Sequence, residues 1–107
     1  MIKKEEMPLC DVATTVELVG SKWKLLILRD LISGPKRTSE LKRSLSGISQ
    51  KVLTESLNSM IEDGLVNRLD FKKVPPHVEY RLTPLGKSFL PVIEAMRQWG
   101  KYYKSQI

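Results

Sequence analysis

Hydrophobic residues recur every three or four positions over most of this chain, a spacing that places them along one side of an α-helix. The first such stretch runs from residue 11 to 19 and ends at Gly20. The second, KWKLLILRDLIS, follows a capping Ser21 and is apolar on nearly every side. A helix of that kind is typical of the buried centre of a small domain, and Gly34-Pro35 ends it.

Two more helices are predicted on either side of the tight turn SGI. SELKRSL, which starts at residue 38 or 39, forms about two turns and buries Leu41 and Leu45. Ser49 then caps a longer helix that runs to about Asp63 and ends at Gly64. Steps of 100° per residue divide this helix into two sides. The apolar side consists of Val52, Leu53, Leu57, Met60 and Ile61. The polar side consists of Lys51, Thr54, Glu55, Asn58 and Glu62, with Gln50 at the border.

The hydrophobic period changes from 3.6 to 2 after this helix, which predicts two β-strands. In LVNRLDF and HVEYRLT the inward positions are Leu65, Leu69, Phe71, Val78, Tyr80 and Leu82. The segment KKVPP lies between them, and its two prolines cannot continue a hydrogen-bonded ladder. We therefore expect a hairpin with an exposed, basic tip.

The chain closes with a helix whose N-cap is Thr83, followed by a proline at the first helical position. Pro91 is expected to kink or split this helix near Leu90. Large apolar residues recur at spacings of 4, 3, 4, 3 and 4, at Leu85, Phe89, Val92, Met96, Trp99 and Tyr103.

This order of elements predicts a mainly α fold with a small β-hairpin wing, that is, a winged helix-turn-helix with additional N- and C-terminal helices. Residues 1–107 form one domain, in which residues 1–9 are a loose arm. The helix-turn-helix spans residues 38–63 and the wing spans residues 65–83. The helices at 11–19 and 84–104 are expected to mediate dimerisation.

Composition favours a globular protein without a membrane segment. Of 107 residues, 41% are hydrophobic and 28% are charged, and no apolar run is long enough to span a bilayer. MIKKEEMPLC lacks the apolar region of a signal peptide, so the cytoplasm is expected. The net charge of +6 favours a polyanionic partner, although an ordinary basic protein would carry the same charge.

The polar side of the Ser49 helix is suited to reading DNA bases. Major-groove base edges offer donors and acceptors that match amides, hydroxyls and lysine. Gln50, Lys51, Thr54 and Asn58 are therefore the candidate base-reading residues, and Glu55 is a weaker candidate for a cytosine amino group. The alternative is an ordinary solvated face.

Basic and polar residues on both sides of this helix are candidates for phosphate contacts, which position a protein on DNA without reading sequence. They are Lys36, Arg37, Thr38, Lys42, Arg43, Ser49, Lys72, Lys73 and His77. A solvated charged surface is the alternative, and for His77 the alternative is an exposed histidine without a role.

Four motifs carry a family resemblance: GxKWxLLIL, GPKRxxELxR, GISQKxLTxxLxxxxxDGLV and VPPxVEYxLTxxG. With them the chain resembles the HxlR family of bacterial winged-helix transcriptional regulators from about Cys10 to Gly100. The resemblance implies a homodimer on a pseudo-palindromic operator of double-stranded DNA. It implies recognition by the helix from Ser49, wing contacts from the tip at residues 72–77, and a dimer interface made by the first and last helices.

The apolar seam of the closing helix supports a dimer independently. Its first part covers the core of its own subunit, whereas its far end extends beyond that core and needs another partner. The expected dimer interface consists of Val12, Val16, Val19, Met96, Trp99 and Tyr103.

Cys10 is a candidate redox sensor, because a thiol at a helix N-terminus can be reactive and several HxlR-type regulators carry an N-terminal sensing cysteine. A small hydrophobe is the alternative. The single cysteine excludes an intramolecular disulfide, so a switch would need alkylation or a disulfide between subunits. No metal site, cofactor or catalytic arrangement is expected, and no small-molecule effector is identified. The alternative function is a winged-helix module for protein–protein contact.

Overall fold

The computed structural model describes residues 3–107, and within that range it contains six α-helices and one antiparallel pair of strands. The elements are α1 Asp11–Val19, α2 Lys22–Leu31, α3 Thr38–Ser44, α4 Gln50–Glu62, β1 Val66–Asp70, β2 Val78–Leu82, α5 Pro84–Lys87 and α6 Leu90–Ser105. The order confirms the winged helix-turn-helix. Of the loose arm expected at 1–9, residues 1 and 2 lie outside the described residues, and Lys4–Glu6 form one 3-10 turn.

Side-chain caps determine where three of the helices begin. The hydroxyl of Ser21 accepts a hydrogen bond from the Lys24 N–H at 3.2 Å, and that of Ser49 accepts one from the Val52 N–H at 3.1 Å. Thr83 caps α5 in the same way. Each cap satisfies an amide that has no partner inside its helix, so these starts follow from local sequence alone.

The core is built around α2 and α4, as the hydrophobic pattern predicts. Ile27, Leu28 and Leu31 of α2 are buried, and so are Leu53, Leu57 and Met60 of α4. Leu41 of α3, Leu45, and the paired strand residues Val66 and Leu82 also belong to this core. Because α4 packs by this side, its other side is left facing solvent.

The two strands pair in register from Val66 opposite Leu82 to Asp70 opposite Val78. Lys36 adds a further antiparallel bridge, in which its N–H donates to the Tyr80 carbonyl at 2.9 Å and its carbonyl accepts from the Tyr80 N–H at 2.8 Å. This bridge ties the segment before α3 to the wing.

The prediction that Phe71 faces the core is wrong, since this residue is 44% exposed. Val66 pairs with Leu82 on the core side of the hairpin, so the alternate side of β1, which carries Leu69 and Phe71, faces away from the core. Instead, the Phe71 ring meets the His77 ring edge-on at 4.8 Å. Val66, which the alternation left outward, is buried at the start of the strand.

Pro91 splits the closing helix as predicted. α5 ends at Lys87, and α6 begins at Leu90 with the proline in its first turn. Most of the side of α6 that carries Met96 and Trp99 is exposed. None of the helices within residues 3–107 is long and apolar enough to cross a membrane.

Gly86 holds α5 against the residue that precedes β1. It is buried, and a Cβ at this position would overlap the carbonyl oxygen of Leu65 and lie 3.2 Å from Cδ2 of Leu82. The neighbouring Thr83 hydroxyl donates to the Gly64 carbonyl at 2.6 Å, which closes the same junction. The backbone at Gly86 therefore has no room for a side chain.

We predict that Gly86→Ala lowers the free energy of unfolding by about 1–3 kcal/mol, because α5 must move away from Leu65 to admit the methyl group. Gly100→Ala is the matched control, since a Cβ in the middle of α6 meets no atom within 4 Å. There the change should add up to about 1 kcal/mol of stability. Urea denaturation at a fixed protein concentration measures both, and equal effects of the two substitutions would contradict the close approach at Gly86.

Candidate nucleic-acid interface

The outer side of α4 exposes the four candidate base-reading residues, Gln50, Lys51, Thr54 and Asn58, together with Glu55 and Glu62. Nε2 of Gln50 donates to the Thr54 hydroxyl at 3.2 Å, and Nζ of Lys51 lies 4.0 Å from the Glu55 carboxylate. Exposed contacts of this kind are weak, so these side chains are free to exchange them for other partners. The structure thus brings together all four residues that the sequence proposed for base reading.

The turn between α3 and α4 sets the direction in which this polar side points. Gly47 has a φ of +92°, a conformation that glycine adopts without strain. Leu45 and Ile48, on either side of it, are buried. Ser49 then caps α4, and its position at the exposed N-terminus of α4 is the one expected from the sequence. The two helices are therefore held at a fixed angle by apolar anchors.

The predicted phosphate-contacting residues near α3 fall into two groups. Arg37, Lys42 and Arg43 are exposed, whereas Lys36 and Thr38 are half-buried. The Lys36 ammonium donates to the Ser33 hydroxyl at 3.1 Å, and its backbone pairs with the wing. Lys36 is therefore held in place, whereas the exposed side chains of Arg37, Lys42 and Arg43 are freer to contact phosphates.

The tip of the wing carries Lys72 and Lys73, both exposed. The Lys72 N–H donates to the Asp70 carboxylate at 2.9 Å, and Lys73 Nζ lies 5.7 Å from the centre of the Phe71 ring. These contacts order the tip while leaving its two ammonium groups in solvent. The basic tip predicted from KKVPP is present.

His77 is less available than the sequence suggested. Its Nε2 lies 2.6 Å from the Glu79 carboxylate, and its ring packs against Phe71. The side chain is only 29% exposed. This histidine therefore braces the base of the wing tip, and any phosphate contact would have to compete with Glu79.

Two further cations of the wing, which are absent from the predicted set, lie on the strands rather than at the tip. Arg68, 49% exposed, lies 4.0 Å from Asp70 on β1, and Arg81 is exposed on β2. Both are polar positions within the strand pattern, and that polarity was the signal that could have found them. The strand register pairs Arg68 with Tyr80 and Arg81 with Asn67, so the two arginines add positive charge to opposite faces of the hairpin.

A second surface, on α1 and α6, is apolar; we refer to it as the apolar face. It consists of Val12, Val16, Val92, Met96, Trp99, Tyr102 and Tyr103, all exposed. The Trp99 and Tyr103 rings stack with centroids 5.5 Å apart. On the opposite side of α6, Glu94 is exposed, and hydrogen bonds from Arg97 and then Gln98 lower its pKa to about 2.

Val19 is a correction to the predicted interface set. It is 4% exposed and packs in the core of its own subunit rather than on the apolar face with Val12 and Val16. The reason is its position at the end of α1, where the chain turns into α2. An apolar groove of about 150 Å³ runs between α1 and α6, and its lining includes Val16, Leu25 and Met96.

The chain is less compact than a typical domain of its length. The radius of gyration is 15.1 Å, whereas a compact chain of this length has about 13 Å. The accessible surface is 7619 Å², and a compact monomer of this mass has about 6,100 Å². The subunit therefore exposes roughly 1,500 Å² more surface than a self-contained monomer.

Cys10 occupies the N-cap position of α1, and its side chain is exposed and makes no capping hydrogen bond. Reagents in solution can therefore reach the Cys10 thiol. Among residues 3–107, no group of three His, Cys, Asp or Glu side chains is arranged to hold a metal ion.

A model of the HxlR-like helix-turn-helix family matches residues 18–107. The HTH-type transcriptional regulator YkvN of Bacillus subtilis (strain 168) is 47% identical over 97 residues, which cover 91% of this chain and 82% of that protein.

Solved structures agree with these sequence matches. The crystal structure of the HTH-type transcriptional regulator ytcD has a TM-score of 0.86 at 41% identity, and the match covers 91% of this chain and 99% of that one. The redox regulator HypR in its oxidized form has a TM-score of 0.83 at 38% identity, covering 87% and 96%. Its reduced form has a TM-score of 0.86 at 36% identity, covering 89% and 94%.

Proposed function

Because this chain belongs to the HxlR-like helix-turn-helix family, we propose that it is a transcriptional regulator that reads a specific sequence in double-stranded DNA. The observation that carries the proposal is the exposed polar side of α4, flanked by the cations of α3 and of the wing. An α-helix fits the major groove, and its outward residues then meet base edges.

Each member of the polar side has a distinct part in this proposal. The amides of Gln50 and Asn58 match adenine, which offers one donor and one acceptor in the major groove. Lys51 matches the two acceptors of guanine, and Thr54 serves either base. Arg37, Lys42 and Arg43 bind phosphates on one side of the groove, while Lys72 and Lys73 bind the backbone beside the wing.

The regulator acts as a homodimer that joins through the apolar face. A stable interface removes about 800 Å² from each partner, and the surplus surface of this subunit exceeds that amount. Aromatic residues such as Trp99 and Tyr103 are the kind that dominate interfaces. Two-fold symmetry would place the two α4 helices about 34 Å apart, one turn of DNA, and would favour a pseudo-palindromic operator.

Cys10 makes the regulator responsive to oxidants or electrophiles. Its exposed thiol lies at the start of α1, the helix that carries Val12 and Val16 of the apolar face. The sequence has one cysteine, so the modified forms would be an alkylated thiol or a disulfide between two subunits. The similarity to HypR, solved in oxidized and reduced forms, supports this part of the proposal.

We predict that Asn58→Ala and Lys73→Ala weaken binding in different ways. Duplexes selected by the wild-type protein from a random library supply the operator. Asn58→Ala should cost about 1–3 kcal/mol and relax the preference at one base position. Lys73→Ala should weaken all duplexes alike and reduce the slope of log K against log salt by about 0.9 per phosphate contact.

Lys101→Ala is the control for this experiment, since it removes an equal charge from an exposed position of α6. It should leave both affinity and salt slope unchanged. If the wild-type protein enriches no sequence from the library, the proposal of specific reading is wrong.

We predict that Trp99→Ala raises the dimer dissociation constant about thirtyfold or more, because an aromatic anchor at the centre of an interface contributes about 2 kcal/mol or more. Sedimentation velocity over a range of concentrations measures it. Gln98→Ala, on the adjacent but solvated side of α6, should behave as wild type. A wild-type protein that stays monomeric at micromolar concentration would contradict the dimer.

We predict that Cys10→Ser abolishes the response to diamide. Oxidation should lower the affinity of the wild-type protein for the selected duplex, and dithiothreitol should restore it, whereas the serine protein should keep its affinity throughout. Fluorescence anisotropy measures the affinity, and a non-reducing gel measures the cross-linked fraction. Equal loss of affinity in the two proteins would exclude Cys10 as the sensor.

A further inference from the structure

Lys24 of α2 connects three helices through its side-chain ammonium group. Its Nζ lies 2.8 Å from the Ser59 hydroxyl of α4 and 3.5 Å from the carbonyl oxygen of Leu18 in α1. The side chain is half-buried, in contrast to its neighbour Lys22, which is exposed and lies 4.5 Å from the centre of the Trp23 ring.

The acceptors explain why a cation is held there. Leu18 belongs to the last turn of α1, whose final carbonyls have no partner inside the helix and carry its negative partial charge. An ammonium group has three donors and no acceptor, so it can bond this carbonyl and the Ser59 hydroxyl at once. Partial burial reduces the competition from water.

The two helices that Lys24 joins have different parts in the proposed function. α4 carries Asn58, next to Ser59, on its polar side, and α1 carries Val12 and Val16 of the apolar face. α1 is otherwise fixed to its subunit mainly at its end, where Val19 is buried and Leu18 packs beside it. The orientation of α1 relative to α4 is therefore weakly determined by apolar packing alone.

We propose that Lys24 is a positioning residue that sets the spacing between DNA half-sites which the dimer accepts. The proposal rests on the proposed function. When α1 contributes to the two-fold interface, any rotation of α1 relative to α4 moves both recognition helices with respect to the symmetry axis. The bonds from Lys24 to Leu18 and Ser59 limit that rotation, and hence fix the separation of the two reading surfaces.

The experiment compares four variants with the wild-type protein. Lys24→Met keeps the length of the side chain and removes the donors, and Lys24→Arg keeps a cation. Ser59→Ala removes the partner on α4 while leaving the charge of the protein unchanged. Lys101→Met is the control for charge, because it removes one exposed cation from α6.

The wild-type protein first selects its operator from random duplexes, and synthetic duplexes then vary the centre-to-centre spacing of the half-sites one base pair at a time. The wild type, Lys101→Met and Lys24→Arg should prefer one spacing. Lys24→Met and Ser59→Ala should bind that spacing about tenfold more weakly, the effect of losing a hydrogen bond from a charged group. Their loss at neighbouring spacings should be smaller, so that the preference broadens.

Melting temperature and sedimentation are measured alongside, because a purely structural role would change them without changing the spacing preference. If Lys24→Met does not fold, Ser59→Ala carries the test. A uniform loss at every spacing, or an unchanged profile in both variants, would overturn the role of Lys24. A wild-type protein that selects no sequence would instead refute the proposed function on which this one rests.

Discussion

The burial of one side of α4 against α2 is the constraint on which the rest of the structure depends. Leu53, Leu57 and Met60 are almost fully buried, and each such side chain contributes about 1.5–3 kcal/mol. The polar contacts on the opposite side, such as the pair between Lys51 and Glu55, contribute at most about 1 kcal/mol. Burial therefore decides how the helix is rotated, and hence which residues form the candidate base-reading face.

Elements that depend on neighbours in sequence were predictable. The caps at Ser21, Ser49 and Thr83 and the break before Pro91 arise from local hydrogen bonding and from the geometry of proline. The two sides of α4 were predictable as well, since a helix of 13 residues repeats its pattern over several turns. The exposed polar side that forms the candidate site follows directly from that pattern.

Features that depend on packing between distant parts of the chain were not predictable from the sequence pattern. The hydrophobic period shows that Val12, Val16 and Val19 lie toward the same side of α1, but only Val19 packs in the core, and the period cannot show where that core ends. Phe71 continues the alternation of Leu69, but the register with β2 turns that side of β1 away from Val66 and Leu82. The position of His77 in the wing suggests a phosphate contact, but its ring nitrogen is already bonded to the carboxylate of Glu79.

The arrangement of α1, α2 and α4 indicates that regulation would act on geometry rather than on charge. Cys10 is the N-cap of α1, whereas the residues proposed for base reading lie on α4, so modification of the thiol would leave their chemistry unchanged. Only Gly20 and Ser21 separate α1 from α2, and α2 forms the buried support of α4. In the proposed dimer, a disulfide or adduct at Cys10 would shift α1 at the interface. Since the core holds α2 and α4 together as a unit, that shift would change the separation of the two reading surfaces while each surface stayed intact.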